Sequence, residues 1–133
     1  MPASGTLTLK KEERICSKKL IEQLFNGGTA RSMSSFPLRA VFMLVPLTSN
    51  EPLARMMVSV PKRCLKHAVD RNRVKRQVRE AYRKNKETLL RPMALREREG
   101  LVVSFIWMDS QLRNSPSVER HVANLLRHIS ERL

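Results

Sequence analysis

A chain of 133 residues has room for one hydrophobic core and little room for a second, and none of its apolar runs approaches the ~20 residues of a membrane-spanning helix. With 26 Lys and Arg against 12 Asp and Glu the formal charge is +14, on a sequence 41% hydrophobic and therefore composed to fold rather than stay disordered. A folded body with that much uncompensated positive charge suits a polyanion, nucleic acid ahead of an anionic membrane surface.

Residues 1–8 are small and polar and read as a loose tail, leaving 9–133 as a single domain. The N-terminal stretch MPASGTLTLKKEER has no continuous apolar segment of signal-peptide type. Cys16 and Cys64 supply neither a disulfide framework nor metal-ligand spacing, so both read as reduced thiols of a soluble cytoplasmic protein. Ser17 is placed to cap a helix through KKLIEQLF, with Leu20, Ile21, Leu24 and Phe25 on one face and Asn26, Gly27 and Gly28 stopping it. The runs 36–47 and 53–60 read as strands joined by the turn chemistry of TSNEP, with Pro37 and Pro46 near strand ends, where a missing N–H does least harm. Whether 29–34 forms a further short strand stays open at this level.

A long basic helix is expected over about 68–90. At about 100° per residue, Val74, Val78, Ala81, Tyr82 and Leu89 gather in one apolar arc, with Lys75, Arg76, Arg79, Arg83 and Lys86 beside it. Few acids oppose this run, and like charges three or four residues apart repel, so the pattern costs helix stability until a polyanion arrives. The stretch RPMALREREG interrupts the pattern. LVVSFIWM, 101–108, is β-branched and aromatic enough for a strand buried on both faces. In the last segment Ser115 is the expected cap and Pro116 the first-turn residue, followed by Val118, Val122, Leu125, Leu126, Ile129 and Leu133 at helical spacing. The order αββ(β)αβα defines an α+β fold, helices on a small sheet.

The chemistry-bearing patterns are mostly absent. No Gly-rich phosphate loop fits among four glycines, and His67, His121 and His128 lack metal-spaced partners. The acids are scattered, so no carboxylate pair or ion cluster is set up to activate water. A second basic spot follows the strand in MMVSVPKRCLKH, where Lys62 and Arg63 leave its end. From the residues alone the chain is a nucleic-acid-binding subunit. A ribosomal or DNA-binding structural module is the alternative, and a stand-alone nuclease acting through Asp70 and Glu80 a further one.

The run VSVPKRCLKHAVDRNRVKRQVREAYR resembles the protein component of bacterial ribonuclease P. The family's Arg-Asn-Arg, Lys-Arg and Arg signature is matched by Arg71, Asn72, Arg73, Lys75, Arg76 and Arg79, and its preceding Ser-x-x-basic-basic pattern by Ser59, Lys62 and Arg63. The resemblance extends from LKKEERI through the last helix. It implies a left-handed βαβ crossover around the basic helix, against the usual hand. It also implies a partnership with the ribonuclease P RNA and with precursor tRNA, whose 5′ leader the holoenzyme removes. Catalysis then belongs to the RNA subunit and its magnesium ions. The protein would contribute no catalytic residue, bind no cofactor itself and need no protein partner or membrane. By the same resemblance Arg71, Asn72, Arg73, Lys75, Arg76, Arg79 and Arg83 would bind the RNA subunit, and Phe25, Phe42, Ser59, Lys62 and Arg63 the leader. Many members carry a second aromatic one turn before Phe25, where this chain has Ile21.

Overall fold

The computed structural model describes residues 9, 11–15, 18–47, 51–96 and 98–133. The expected N-terminal tail, Cys16, the Ser17 cap and most of the TSNEP turn lie outside them. A short 3-10 turn, Lys11–Glu13, leads to α1 (Lys18–Asn26), β1 (Arg31–Ser35), β2 (Leu38–Pro46), β3 (Ala54–Ser59), α2 (Ala68–Asn85), α3 (Glu87–Ala94), β4 (Glu99–Trp107) and α4 (Ser115–Ser130). The stretch after α1 does form a strand, β1. The Gly-rich stop of α1 has a conformational reason: Gly28 has φ +76°, a left-handed setting that a side chain disfavours.

The sheet order is β1-β2-β4-β3. β4 pairs antiparallel with β2 and parallel with β3, so α2 and α3 form the crossover between the two parallel strands. Its central position explains its composition, because Leu101 to Phe105 and Trp107 are buried with a helix layer on each side. One face carries the main core: Ala54, Met56 and Val58 of β3 and Val103 and Phe105 of β4 meet Val74, Val78 and Tyr82 of α2 and Val122, Leu125 and Ile129 of α4. Tyr82 and Phe105 meet edge to face, with centroids 6.2 Å apart. The opposite face carries a smaller cluster, Val41, Met43, Val45 and Val102 under Leu24 of α1 and Ile15. Ile15 also donates its N–H to the Met56 carbonyl at 2.9 Å, so the N-terminal segment covers the β3 edge.

Three local expectations change. The basic helix does not run smoothly to residue 90; it turns at Lys86, and α3 then continues to Ala94 through Pro92, a segment read from sequence as a break. Burial of Leu89 and Met93 holds α3 on the core despite the N–H that proline lacks. At α4 the cap is Asn114, whose Oδ1 accepts from the Ser117 N–H at 2.9 Å, while Ser115 is already the first helical residue. Lys86, assigned from the wheel to the charged arc, is 3% exposed, and its Nζ donates to both carboxylate oxygens of Glu13 at 3.0 and 2.9 Å. A kink that brings the ammonium inward, together with an acid far away in sequence, removes it from the solvent face.

Candidate nucleic-acid interface

The apolar arc of α2 seats the helix and thereby decides what its other side presents. Val74, Val78, Ala81 and Tyr82 are buried. Asn72, Arg73 and Arg76 are exposed, and Lys75 and Arg79 half-buried. No ion pair or hydrogen bond holds the side chains of Arg73, Lys75, Arg76 or Arg79 among the described residues, so four cations stand on one helix without internal neutralisation. The remaining two basic residues expected here differ. Arg71 donates to the backbone carbonyls of Leu65 and Lys66 at 2.8 and 2.7 Å, fastening the loop that enters α2. Arg83 is bound to Glu80 one turn earlier, with its Nε 3.0 Å from Oε2. That hydrogen bond holds the exposed Glu80 carboxyl below its ordinary range and raises the Arg83 guanidinium above its own. Arg83 therefore approaches a polyanion already half-neutralised.

The second surface lies on the other face of the sheet. A groove of about 240 Å³ runs between α1 and the strands, with Phe25, Gly28, Ser32, Arg39, Val41 and Ile106 among its lining residues. Phe25 is 45% exposed and stands on its wall. Arg39 pairs across to Ile106, and Ile106 to Ser59. With strands about 4.8 Å apart, these three form a row roughly 10 Å wide on the groove face. Alternation along β3 puts Ser59 on the side of Met57, away from the main core. Lys62 and Arg63 follow in the turn after β3, both exposed, at the same end of the sheet. Phe25, Ser59, Lys62 and Arg63 thus share one side or one end of the sheet.

Phe42 does not join them. Its ring is 3% exposed and belongs to the main core on the far face, so it offers no stacking surface. One step of register decides the matter, because neighbouring strand residues point to opposite faces. Arg39, which sequence reasoning passed over, occupies the groove instead. Its signal was available as an arginine inside an otherwise apolar strand, which is tolerable only on an open face.

Among the described residues no three His, Cys, Asp or Glu side chains converge as metal ligands. No helix among them is long and apolar enough to cross a membrane.

An α+β domain with a cationic helix on one face of its sheet and a basic-ended groove on the other is a nucleic-acid-binding protein by construction. Residues 9–130 match the family described as Ribonuclease P. A ribonuclease P protein component from Porphyromonas gingivalis is 36% identical over 131 residues, covering 98% of this chain and 92% of that protein. The one from Chlorobaculum tepidum is 30% identical over 138 residues, covering 96% and 84%. The chain belongs to the ribonuclease P protein family. It is an RNA-binding protein subunit of that tRNA-processing endoribonuclease, associated with the ribonuclease P RNA.

Proposed function

We propose a division of labour between the two faces of the sheet. The α2 face, through Asn72, Arg73, Lys75, Arg76 and Arg79, holds phosphates of the RNA subunit. Arg71 shapes the entry to that helix, and Arg83 contributes at its far end. The α1 groove takes the single-stranded 5′ leader of precursor tRNA, with Phe25 as a base-stacking wall, Ser59 and Arg39 on the floor and Lys62 and Arg63 on backbone phosphates. The guanidinium forks of arginine fit phosphate oxygens bidentately, while lysine adds a compact charge. Such contacts follow the shape and charge of folded RNA, whose deep major groove hides base edges. In the groove they tolerate any leader sequence, because every base has a stacking face.

The observation that carries this reading is the set of unneutralised cations on α2. In this proposal bond cleavage belongs to the RNA subunit and its magnesium ions, in the cytoplasm, and the protein contributes binding without a catalytic side chain. The test is reconstitution. Protein alone should leave precursor tRNA intact, RNA subunit alone should process it poorly at low magnesium, and the two together should remove the leader. Cleavage by RNA-free protein, abolished in Asp70→Ala, would overturn the proposal.

A further inference from the structure

A third surface lies outside both of those just described. The β1–β2 hairpin turns at Phe36–Pro37 and leaves Phe36 56% exposed, a large apolar ring at the tip of the turn. The guanidinium of Arg113 lies over that ring, 5.4 Å from its centroid. Asp109 fixes Arg113 through a 3.0 Å contact to Nε, so the stacked pair is preorganised rather than left to chance. Next to Phe36, the hydroxyl of Ser35 is 2.9 Å from Nδ1 of His121 on α4 and also accepts from Asn124 at 3.4 Å. Arg127 donates to the side-chain Oδ1 of Asn124 at 2.8 Å. Ser35, Arg120, His121, Asn124 and Arg127 line an open recess of about 640 Å³, to which no carboxylate contributes.

The recess itself is lined by cations and neutral polar groups, with Asp109 outside it on Arg113. Arg120 is exposed and has no ion-pair partner among the described residues. Burial first, and then the positive fields of Arg113 and Arg120, hold the His121 imidazole below its ordinary range. Asp109 offsets Arg113 alone, so Arg120 and Arg127 remain as cations beside an exposed aromatic. That combination suits an unpaired nucleotide, since the base needs a flat apolar partner and the phosphates need forks. The position selects the RNA. Gln77 of α2 donates to the Arg113 carbonyl at 2.9 Å, so this surface continues from the α2 helix and lies on the far side of the sheet from the α1 groove.

We propose that the Phe36–Arg113 pair and Arg120 and Arg127 form a second docking point for the RNA subunit, taking an unpaired nucleotide with its base on Phe36 and its flanking phosphates on the two α4 arginines. The proposal rests on the ribonuclease P reading and extends the RNA-subunit interface from α2 across to α4.

The experiment titrates full-length protein with the ribonuclease P RNA at several salt concentrations, for wild type, Phe36→Ala, Phe36→Tyr and Arg120→Ala/Arg127→Ala. Thermal melts of each variant confirm folding. Loss of one stacked base should weaken binding roughly tenfold in Phe36→Ala, and Phe36→Tyr should restore it. The double arginine variant should shallow the log–log salt slope by about 1.4, near 0.7 for each single-strand phosphate contact. Nucleotides protected from hydroxyl radicals by wild type should lose protection in both altered surfaces. Folded variants that bind the RNA subunit with wild-type affinity and slope would overturn the proposal, as would a defect confined to precursor tRNA or to anionic vesicles. If wild type itself failed to bind the RNA subunit, the underlying reading would fall, which is a separate result.

Discussion

Replacing Lys86 separates what holds this protein together from what it uses to hold RNA. Sequence periodicity places Lys86 among the RNA-facing cations, yet its ammonium is enclosed and bound to both oxygens of Glu13, with side-chain exposures of 3% and 11% for the two partners. A solvated ion pair contributes ~0–1 kcal/mol, but removing one partner of an enclosed pair leaves the other charge facing a low-dielectric space and costs about 3–5 kcal/mol. Lys86→Met keeps the aliphatic stem and removes the ammonium, so the loss should fall in that range. At roughly 3–5 °C of melting temperature per kcal/mol for a domain of this size, the variant should melt about 10–25 °C lower. Glu13→Leu combined with Lys86→Met replaces the pair by apolar groups and should recover most of the loss. Urea unfolding of the four proteins in the cycle measures the coupling. The second readout is RNA affinity against salt, whose slope should not change in folded Lys86→Met because the ammonium is not available to phosphate. A loss under ~1 kcal/mol, or a double variant no more stable than the single one, would refute the structural argument. A shallower salt slope would return Lys86 to the binding face.

Arg73→Ala and Arg76→Ala should do the reverse, leaving stability within ~0.5 kcal/mol and reducing the salt slope of RNA-subunit binding by up to about one unit per lost phosphate contact. Arg83→Ala should have the smaller slope effect because Glu80 already opposes its charge; filter binding across a salt series compares the three. Phe25→Ala should raise KM for leader-bearing precursor tRNA and leave assembly near wild type, whereas Phe42→Ala should lower the melting temperature as a core truncation costing about 3–5 kcal/mol. Val78→Ala is the control for α2 packing and should cost about 1–3 kcal/mol by denaturant titration. For His121 the folded value lies below the unfolded one, so the unfolded chain takes up the proton first as pH falls. Its contribution to stability is complete above the unfolded value near 6.5 and declines with acidification below it. His121→Gln should flatten that part of a stability–pH curve recorded between pH 7.5 and 5, and an unchanged curve would remove His121 as its source.

Periodicity made much of this molecule readable from sequence. The apolar arc Val74, Val78, Ala81 and Tyr82 is buried as the wheel requires, and the continuous run in β4 lies between two helix layers. These patterns survive because they depend only on neighbours in the same element. What escaped depends on residues distant in sequence or on a single step of register. Lys86 belongs to the interior because Glu13, 73 positions earlier, meets it there. Phe42 joins the core and Arg39 the groove because the pairing of β2 with β4 sets Phe42 beside Val103 on one face and Arg39 beside Ile106 on the other. Asn114 rather than Ser115 caps α4, a shift of one residue between two competent side chains.

The position of β4 bears on how the protein comes into being. It is the last strand in the chain, yet it lies between β2 and β3, which do not pair with each other. While the ribosome is still making residues before 99, only the β1–β2 hairpin can close, and β3 has no neighbouring strand except the N-terminal segment at its outer edge. The basic helix α2 is synthesised before β4 and α4, two of the elements that seat it. The core that seats α2 draws on β3, β4 and α4, so a nascent chain that stops before residue 99 carries the cations of α2 without most of the side chains that fix where they point.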